Sequence, residues 1–133
     1  MRFSTATLAA AFALLPAAYA WDNYKNTCYL KRDTGIAGSV LDIQCSNSNG
    51  DYQQTNVDLN NCITNDNSNL ACSPGAGGYA GSCSNCSFSG TFTNDGGPGT
   101  MCCDCWSTDG SHTERKCIDT NSCIGNNEGA LTC

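Results

Sequence analysis

Charge, histidine, proline and long apolar runs are all scarce in this sequence. Charged residues make up 14% of the 133 positions, and six Lys and Arg face twelve Asp and Glu, for a formal net charge of −6. Five of the basic residues follow position 20. Phosphate contacts need clustered Lys and Arg, so nucleic acid is excluded as a partner. His112 is the one histidine. A hydrolase needs a base or paired carboxylates beside a nucleophile; Asp104, Asp109 and Glu114 lie close in sequence but read as surface charge. Asp66-x-Ser68 and Asp95-Gly96 fall short of a calcium loop, which needs acids at regular intervals and a closing Glu. The expectation is therefore no catalysis, no metal and no cofactor. Past position 20 no apolar stretch approaches the roughly 20 residues of a membrane helix, and no amphipathic helix of useful length appears. That argues against membrane insertion and against a helical fold.

Cysteine, by contrast, is abundant. The first 20 residues hold none, and the remaining 113 hold all 12, a density typical of a disulfide scaffold. Those first residues read as an export signal: Arg2, an apolar run from Ala6 to Leu15, the helix breaker Pro16, and Ala18-Tyr19-Ala20 as an A-x-A cleavage pattern. The expected mature chain is 21–133, beginning at Trp21, secreted and extracellular. An oxidising compartment agrees with the cysteine count.

The mature chain contains a repeat. Val57-Asp58-Leu59-Asn60-Asn61-Cys62-Ile63-Thr64-Asn65 matches Ile118-Asp119-Thr120-Asn121-Ser122-Cys123-Ile124-Gly125-Asn126 at an offset of 61, and Leu70-Ala71-Cys72 matches Leu131-Thr132-Cys133. Across this stretch seven of sixteen positions are identical, where chance gives about one, so the sequence is a duplication. Leu41 to Cys45 matches Met101 to Cys105 more loosely. Repeat one spans about 21–72, a Gly-rich linker 73–81, and repeat two about 82–133, forming a single domain. The local pattern is β: Val40, Leu41 and Ile43 lie between turn residues, and Asn49-Gly50 is a strong hairpin signal. Asp58 or Asn60 is placed to cap a short helical turn, and Asn65 to Asn69 form a tight turn. A second Gly-rich insertion, Asn94 to Gly99, reads as a hairpin tip.

The repeat narrows the cysteine pairings. Cys62 to Cys72 and Cys123 to Cys133 share one spacing, and a turn with a short strand can join each pair locally. Cys28 and Cys45 flank the first opening hairpin, and Cys83 and Cys105 flank the second. Cys86 and Cys103 fit a rung just inside the latter. Cys102 and Cys117 remain. The rival reading of Cys83-Ser84-Asn85-Cys86 with Cys102-Cys103-x-Cys105 is a zinc cluster; an even count in an exported chain favours disulfides.

The order of motifs resembles a known family. Thr27-Cys28-Tyr29, Gly38-Ser39-Val40-Leu41, Cys45, Asn49-Gly50-Asp51-Tyr52, Val57-Asp58-Leu59-Asn60 and Cys62-Ile63-x-Asn65 look like the first half of a cyanovirin-N homology domain. Ser82-Cys83-x-x-Cys86, Met101-x-Cys103-x-Cys105, Ile118-Asp119-x-Asn121, Ile124-x-Asn126 and Gly129-x-Leu131 resemble its second half, with extra cysteines like those of its fungal branch. The resemblance implies an elongated, all-β, pseudo-symmetric fold of two lobes whose repeats exchange a β-hairpin, as a monomer or a hairpin-swapped dimer. It implies disulfides Cys28–Cys45 and Cys83–Cys105. It also implies non-catalytic binding of mannose-rich glycans, typically α1,2-linked. Carried over, the lobe holding both termini would use Asn26, Thr27, Ser46 and Ser48 facing Asn126, Asn127, Glu128, Gly129 and Thr132. The other would use Thr64, Asn65 and Asn67 facing Ser82, Thr108 and Gly110.

The residues themselves support that reading in part. The mature chain has 15 Asn, and amides and carboxylates pair well with adjacent sugar hydroxyls. Asn126-Asn127-Glu128-Gly129 and Asn65-Asp66-Asn67-Ser68 are candidate sugar loops, although Asn, Asp, Gly and Ser are equally the common turn formers. A cysteine-rich secreted effector or surface-interaction protein that keeps the fold without binding sugar is the alternative. Tyr29 and Trp106 suit either a sugar face or the core, and Tyr52 reads as core by its strand position. Asn85-Cys86-Ser87 is a formal glycosylation sequon. One expectation is directly measurable: chain recovered from the medium of an expressing cell begins at Trp21 by N-terminal sequencing, and a start at Met1 would refute the leader.

Overall fold

The computed structural model describes residues 24–29, 35–89 and 99–133. The leader and residues 94–98 of the expected hairpin tip lie outside them. Eleven strands and four single-turn 3-10 helices make up the described chain. In the first repeat, β1 (Cys28–Tyr29) and β2 (Gly35–Ala37) pair along one edge of β3 (Val40–Ser46), and β4 (Tyr52–Asp58) pairs along the other. In the second, β7 (Cys83–Ser89), β8 (Thr100–Trp106) and β9 (Thr113–Asp119) form the matching sheet. Each repeat then adds a two-stranded hairpin: β5 (Ile63–Asp66) with β6 (Asn69–Cys72), and β10 (Gly125–Asn127) with β11 (Ala130–Thr132).

Strand alternation explains the sheets. Leu41, Ile43 and Cys45 on β3 and Met101, Cys103 and Cys105 on β8 are buried at every second position, with half-buried residues between them. The Asn-Gly turn forms as its chemistry requires: Asn47 Oδ1 accepts from the backbone N–H groups of Asn49 and Asp51. Asp58 caps the turn Leu59–Asn61 by accepting from Asn60 N, and Asp119 caps Thr120–Ser122 through Asn121 N.

The hairpins are exchanged between the repeats. β6 lies against β9, and β11 lies against β4. Leu131 N donates to Thr55 Oγ1 at 2.9 Å across the second of these contacts. Each lobe therefore combines the sheet of one repeat with the hairpin of the other.

All twelve cysteines are disulfide-bonded. Cys28–Cys45, Cys83–Cys105 and Cys102–Cys117 join direct cross-strand partners. Cys86–Cys103 spans the irregularity between Ser84 and Ser87. The local pairs Cys62–Cys72 and Cys123–Cys133 do not form; the bonds are Cys62–Cys133 and Cys72–Cys123. Register gives the reason. Ile63 pairs with Cys72, so Cys62 sits one position further along, and neighbouring side chains on a strand point to opposite faces. Cys62 is buried and Cys72 exposed. Each cysteine instead meets one from the other repeat. The offset of 61 exchanges the two bonds, as a twofold axis would.

The segment between the repeats is tied down. Gly78 N donates to Asn60 O, Ala80 N donates to Asn60 Oδ1, and Tyr79 is buried. Tyr79 stands to Cys83 as Tyr24 stands to Cys28, and both rings enter the core. Burial pushes the Tyr24 phenol up to about 12, against a hydrogen bond with Thr120 Oγ1 at 2.9 Å. A Cβ on Gly77 would lie 2.0 Å from Asn60 O, so any side chain there displaces backbone.

Two stability outcomes follow from this frame. Once Cys62–Cys133 is closed, Cys72–Cys123 closes a ring of eleven residues along each hairpin, 62–72 and 123–133, worth about 3 kcal/mol in the chain-entropy model. Replacing both Cys72 and Cys123 by Ser should lower the unfolding free energy by about that amount in denaturant titration; an unchanged midpoint would show the bond to be idle. Gly77→Ala should cost about 1–3 kcal/mol by overpacking.

Candidate functional site

The loops at the hairpin–sheet contacts bring most of the expected residues together. In the first lobe, Asn126 on β10 reaches across to the opposite repeat. Its Nδ2 donates to Thr27 Oγ1 and to the backbone oxygen of Ser46, both at 2.8 Å. Its Oδ1 accepts from Gly129 N at 2.8 Å, closing its own turn. Glu128 Oε2 accepts from Ser48 N at 3.1 Å and Ser48 Oγ at 2.8 Å. Gln53 Nε2 donates to Glu128 O. Gly129 has φ 88°, a conformation that favours glycine, and a Cβ there would come within 3 Å of three Gln53 side-chain atoms and push that side chain aside.

The second lobe repeats the plan. Asn65 Nδ2 donates to Ser82 Oγ and to the backbone oxygen of Trp106, both at 2.8 Å. Thr108 N donates to Asn67 Oδ1 at 3.0 Å. Thus Asn65 matches Asn126, Asn67 matches Glu128, Ser82 matches Thr27 and Thr108 matches Ser48. The asparagine amide clasps a hydroxyl next to one cysteine and a carbonyl next to its bonded partner. The second turn is less complete. Ser68 replaces glycine at φ 69°, and Asn65 Oδ1 is buried without a hydrogen-bond partner among the described residues. A buried acceptor left without a donor costs about 1–3 kcal/mol.

Asn26, Asn127 and Thr132 are exposed beside the first clasp, and Thr64 is half-buried on β5. Gly110 lies in the loop opposite Asn67, where its N–H donates to Ser107 O. Gln53, Thr55, Ser107 and Asp109 were absent from the expected set. Ser107 Oγ donates to Asp109 Oδ1 at 2.6 Å, and Asp109 also accepts from Ser111 N. The repeat held the signal for Gln53: at the offset of 61 it aligns with Glu114, in a sheet position facing the exchanged hairpin. Tyr52 is a correction. It is 54% exposed, because the core-facing positions of β4 are the odd ones, and Tyr52 shares the outer face with Gln54 and Asn56. Tyr29 packs edge-on against it at 4.8 Å between centroids. Trp106 is also exposed.

Charge at the loops is set by local hydrogen bonds. The backbone and hydroxyl bonds from Ser48 hold the Glu128 carboxyl below its ordinary range. Bonds from Ser107 and Ser111 pull Asp109 well below the carboxylate norm. Glu114 is lowered by its bond with Lys116 at 2.6 Å, and it also faces His112 Nε2 at 3.6 Å. Among the described residues no group of three or more His, Cys, Asp or Glu could hold a metal ion, and no helix is long and apolar enough to cross a membrane.

The model of the CVNH domain family matches residues 24–132. The chain belongs to the CVNH family. No curated protein matches it at a significant level. Among solved structures, this CVNH domain resembles the CVNH protein of Gibberella zeae, with 26% identity, 81% of this chain and 91% of that one covered, and a TM-score of 0.58. It also resembles a MoCVNH3 variant solved in complex with (N-GlcNAc)4, at 17% identity, coverage of 84% and 97%, and a TM-score of 0.67. Microvirin, solved with mannobiose, matches at 21% identity, coverage of 80% and 94%, and a TM-score of 0.60.

The Glu128 clasp has a definite pH dependence. Its folded-state pKa lies below its ordinary value of 4.5, so the stabilisation is complete above pH ~4.5 and is lost as pH falls through the lower folded value. The Ser48 amide resonance should therefore hold its position from neutral pH down to about 4.5 and move below it, and Glu128→Gln should remove the transition. A Ser48 resonance that titrates identically in the variant would refute the assignment.

Proposed function

We propose that this chain is a secreted, non-catalytic lectin for mannose-rich glycans, with terminal α1,2-linked mannose as the preferred unit and the first lobe as the principal site. Family membership supports the sugar reading, and the more complete hydrogen bonding of the first clasp supports giving that lobe the principal role. Solved relatives of this fold hold (N-GlcNAc)4 and mannobiose. In the first lobe Asn126 holds the two repeats in register. Around it the exposed groups of Asn26, Asn127, Glu128 and Thr132 supply donors and acceptors for adjacent sugar hydroxyls. Glu128 keeps one carboxylate oxygen on Ser48, which fixes the direction in which the other points.

Asn126 and Asn65 act in this reading as positioning residues, because their amides are already engaged within the protein. The second lobe is the weaker site: Asn67 is bonded to Thr108, and the buried Asn65 Oδ1 marks a less settled turn. That lobe favours the alternative of a CVNH-fold effector or surface-interaction protein that does not bind sugar. Two working sites on one rigid body would raise avidity on dense glycans without new contacts.

Calorimetric titration with oligomannose, after a glycan-array screen, tests the proposal. Heat of binding should appear with mannose oligomers. Glu128→Ala should lower affinity by about tenfold or more, the loss of one charge-assisted hydrogen bond. Asn67→Ala should leave the principal site unchanged. Absence of binding to every mannose oligomer would favour the effector reading.

A further inference from the structure

The outer face of the second sheet carries a cluster that the clasps do not use. Asn85-Cys86-Ser87 lies on β7 at its irregularity, and it is the one Asn-x-Ser/Thr triplet in the sequence. Asn85 is exposed and has φ 50°, a conformation that asparagine tolerates better than most residues. Its Nδ2 donates to Asp104 Oδ2 at 3.0 Å. Arg115 braces the same segment: Nη1 donates to Asn85 O and to Asp104 Oδ1, and Nη2 donates to Ser87 Oγ at 2.7 Å. Asp104 lies between the inward-facing Cys103 and Cys105 and so marks the outer face, away from the core.

We propose that Asn85 carries an N-linked glycan, an inference that rests on the export reading of residues 1–20. The step is a glycosyl transfer from a lipid-linked oligosaccharide diphosphate. The Asn85 amide nitrogen forms a C–N bond to the anomeric carbon, the bond from that carbon to the diphosphate oxygen breaks, and the nitrogen gives up one proton. The nitrogen keeps its other hydrogen, so one donor remains for the single bond to Asp104 Oδ2. The Cys86–Cys103 bond and the pairing of β7 with β8 close over the sequon, so the transfer precedes them. Synthesis order permits this, because β8 emerges after β7. The glycan then stands on the outer face of the second sheet, opposite the core.

Full-length chain expressed in a eukaryotic secretory host tests the proposal, with intact mass and enzymatic deglycosylation as the readouts. The expected result is secreted protein bearing one glycan that peptide-N-glycosidase removes, leaving aspartate at position 85. Asn85→Gln and Ser87→Ala should each be secreted without the added mass, and Ser87→Thr should keep it. Thiol titration showing no free cysteine in each variant verifies that its disulfide frame has formed. Wild-type protein recovered from the medium at its unmodified mass would overturn the glycan alone. Wild-type protein retained in the cytosol and unmodified would overturn both the glycan and the export it rests on.

Discussion

The crossed pair of bonds Cys62–Cys133 and Cys72–Cys123 is the constraint on which the rest of this fold depends. Each hairpin ends its own repeat but lies on the sheet of the other, through β6 on β9 and β11 on β4. A small core alone would hold such an exchange weakly, since its largest fully buried side chains are few. The two bonds convert it into a covalent connection between repeats. They also sit at the base of the turns that carry Asn67 and Glu128, so the loops opposing the sheets are held from below. The four bonds within the sheets do a different job. They reinforce strand pairs that the hydrogen-bond ladders already define.

Above that frame the two clasps set loop position. Asn126 and Asn65 each tie a hairpin to the hydroxyl and the carbonyl beside a disulfide rung. The equivalence is close enough to expose where the lobes diverge. Glycine at 129 takes the positive φ of the first turn and completes the Asn126 bonding, whereas Ser68 leaves the Asn65 oxygen without a partner among the described residues. A carboxylate at 128 and an amide at 67 then present different chemistry at matching places. Duplication thus supplies the architecture twice, and single substitutions at the turns make the two copies unequal.

Much of the fold was legible because it is local. The Asn49-Gly50 turn, the caps at Asp58 and Asp119 and the alternation of β3 follow from backbone preferences within a few residues of each other. The repeat made the duplication visible, and the facing loops came through family likeness. The misreadings have one origin. Tyr52 sits on a recognisable strand, but its face depends on which side of β4 the exchanged hairpin covers. The shared spacing of Cys62 to Cys72 and Cys123 to Cys133 was genuine, yet it reflected equivalence between copies and not contact within one.

By itself, the sequence determined that the chain is a duplicated, disulfide-rich β protein with Asn-rich turns at matching places, because periodicity, turn chemistry and cysteine density are properties of short segments. Tertiary structure alone decided which cysteines meet, which face Tyr52 occupies, and that Asn65 and Asn126 serve as clasps. Those outcomes depend on the hairpins crossing to the opposite repeat. A contact between residues 71 positions apart arises from the packing of two sheets and leaves no periodic trace along the chain.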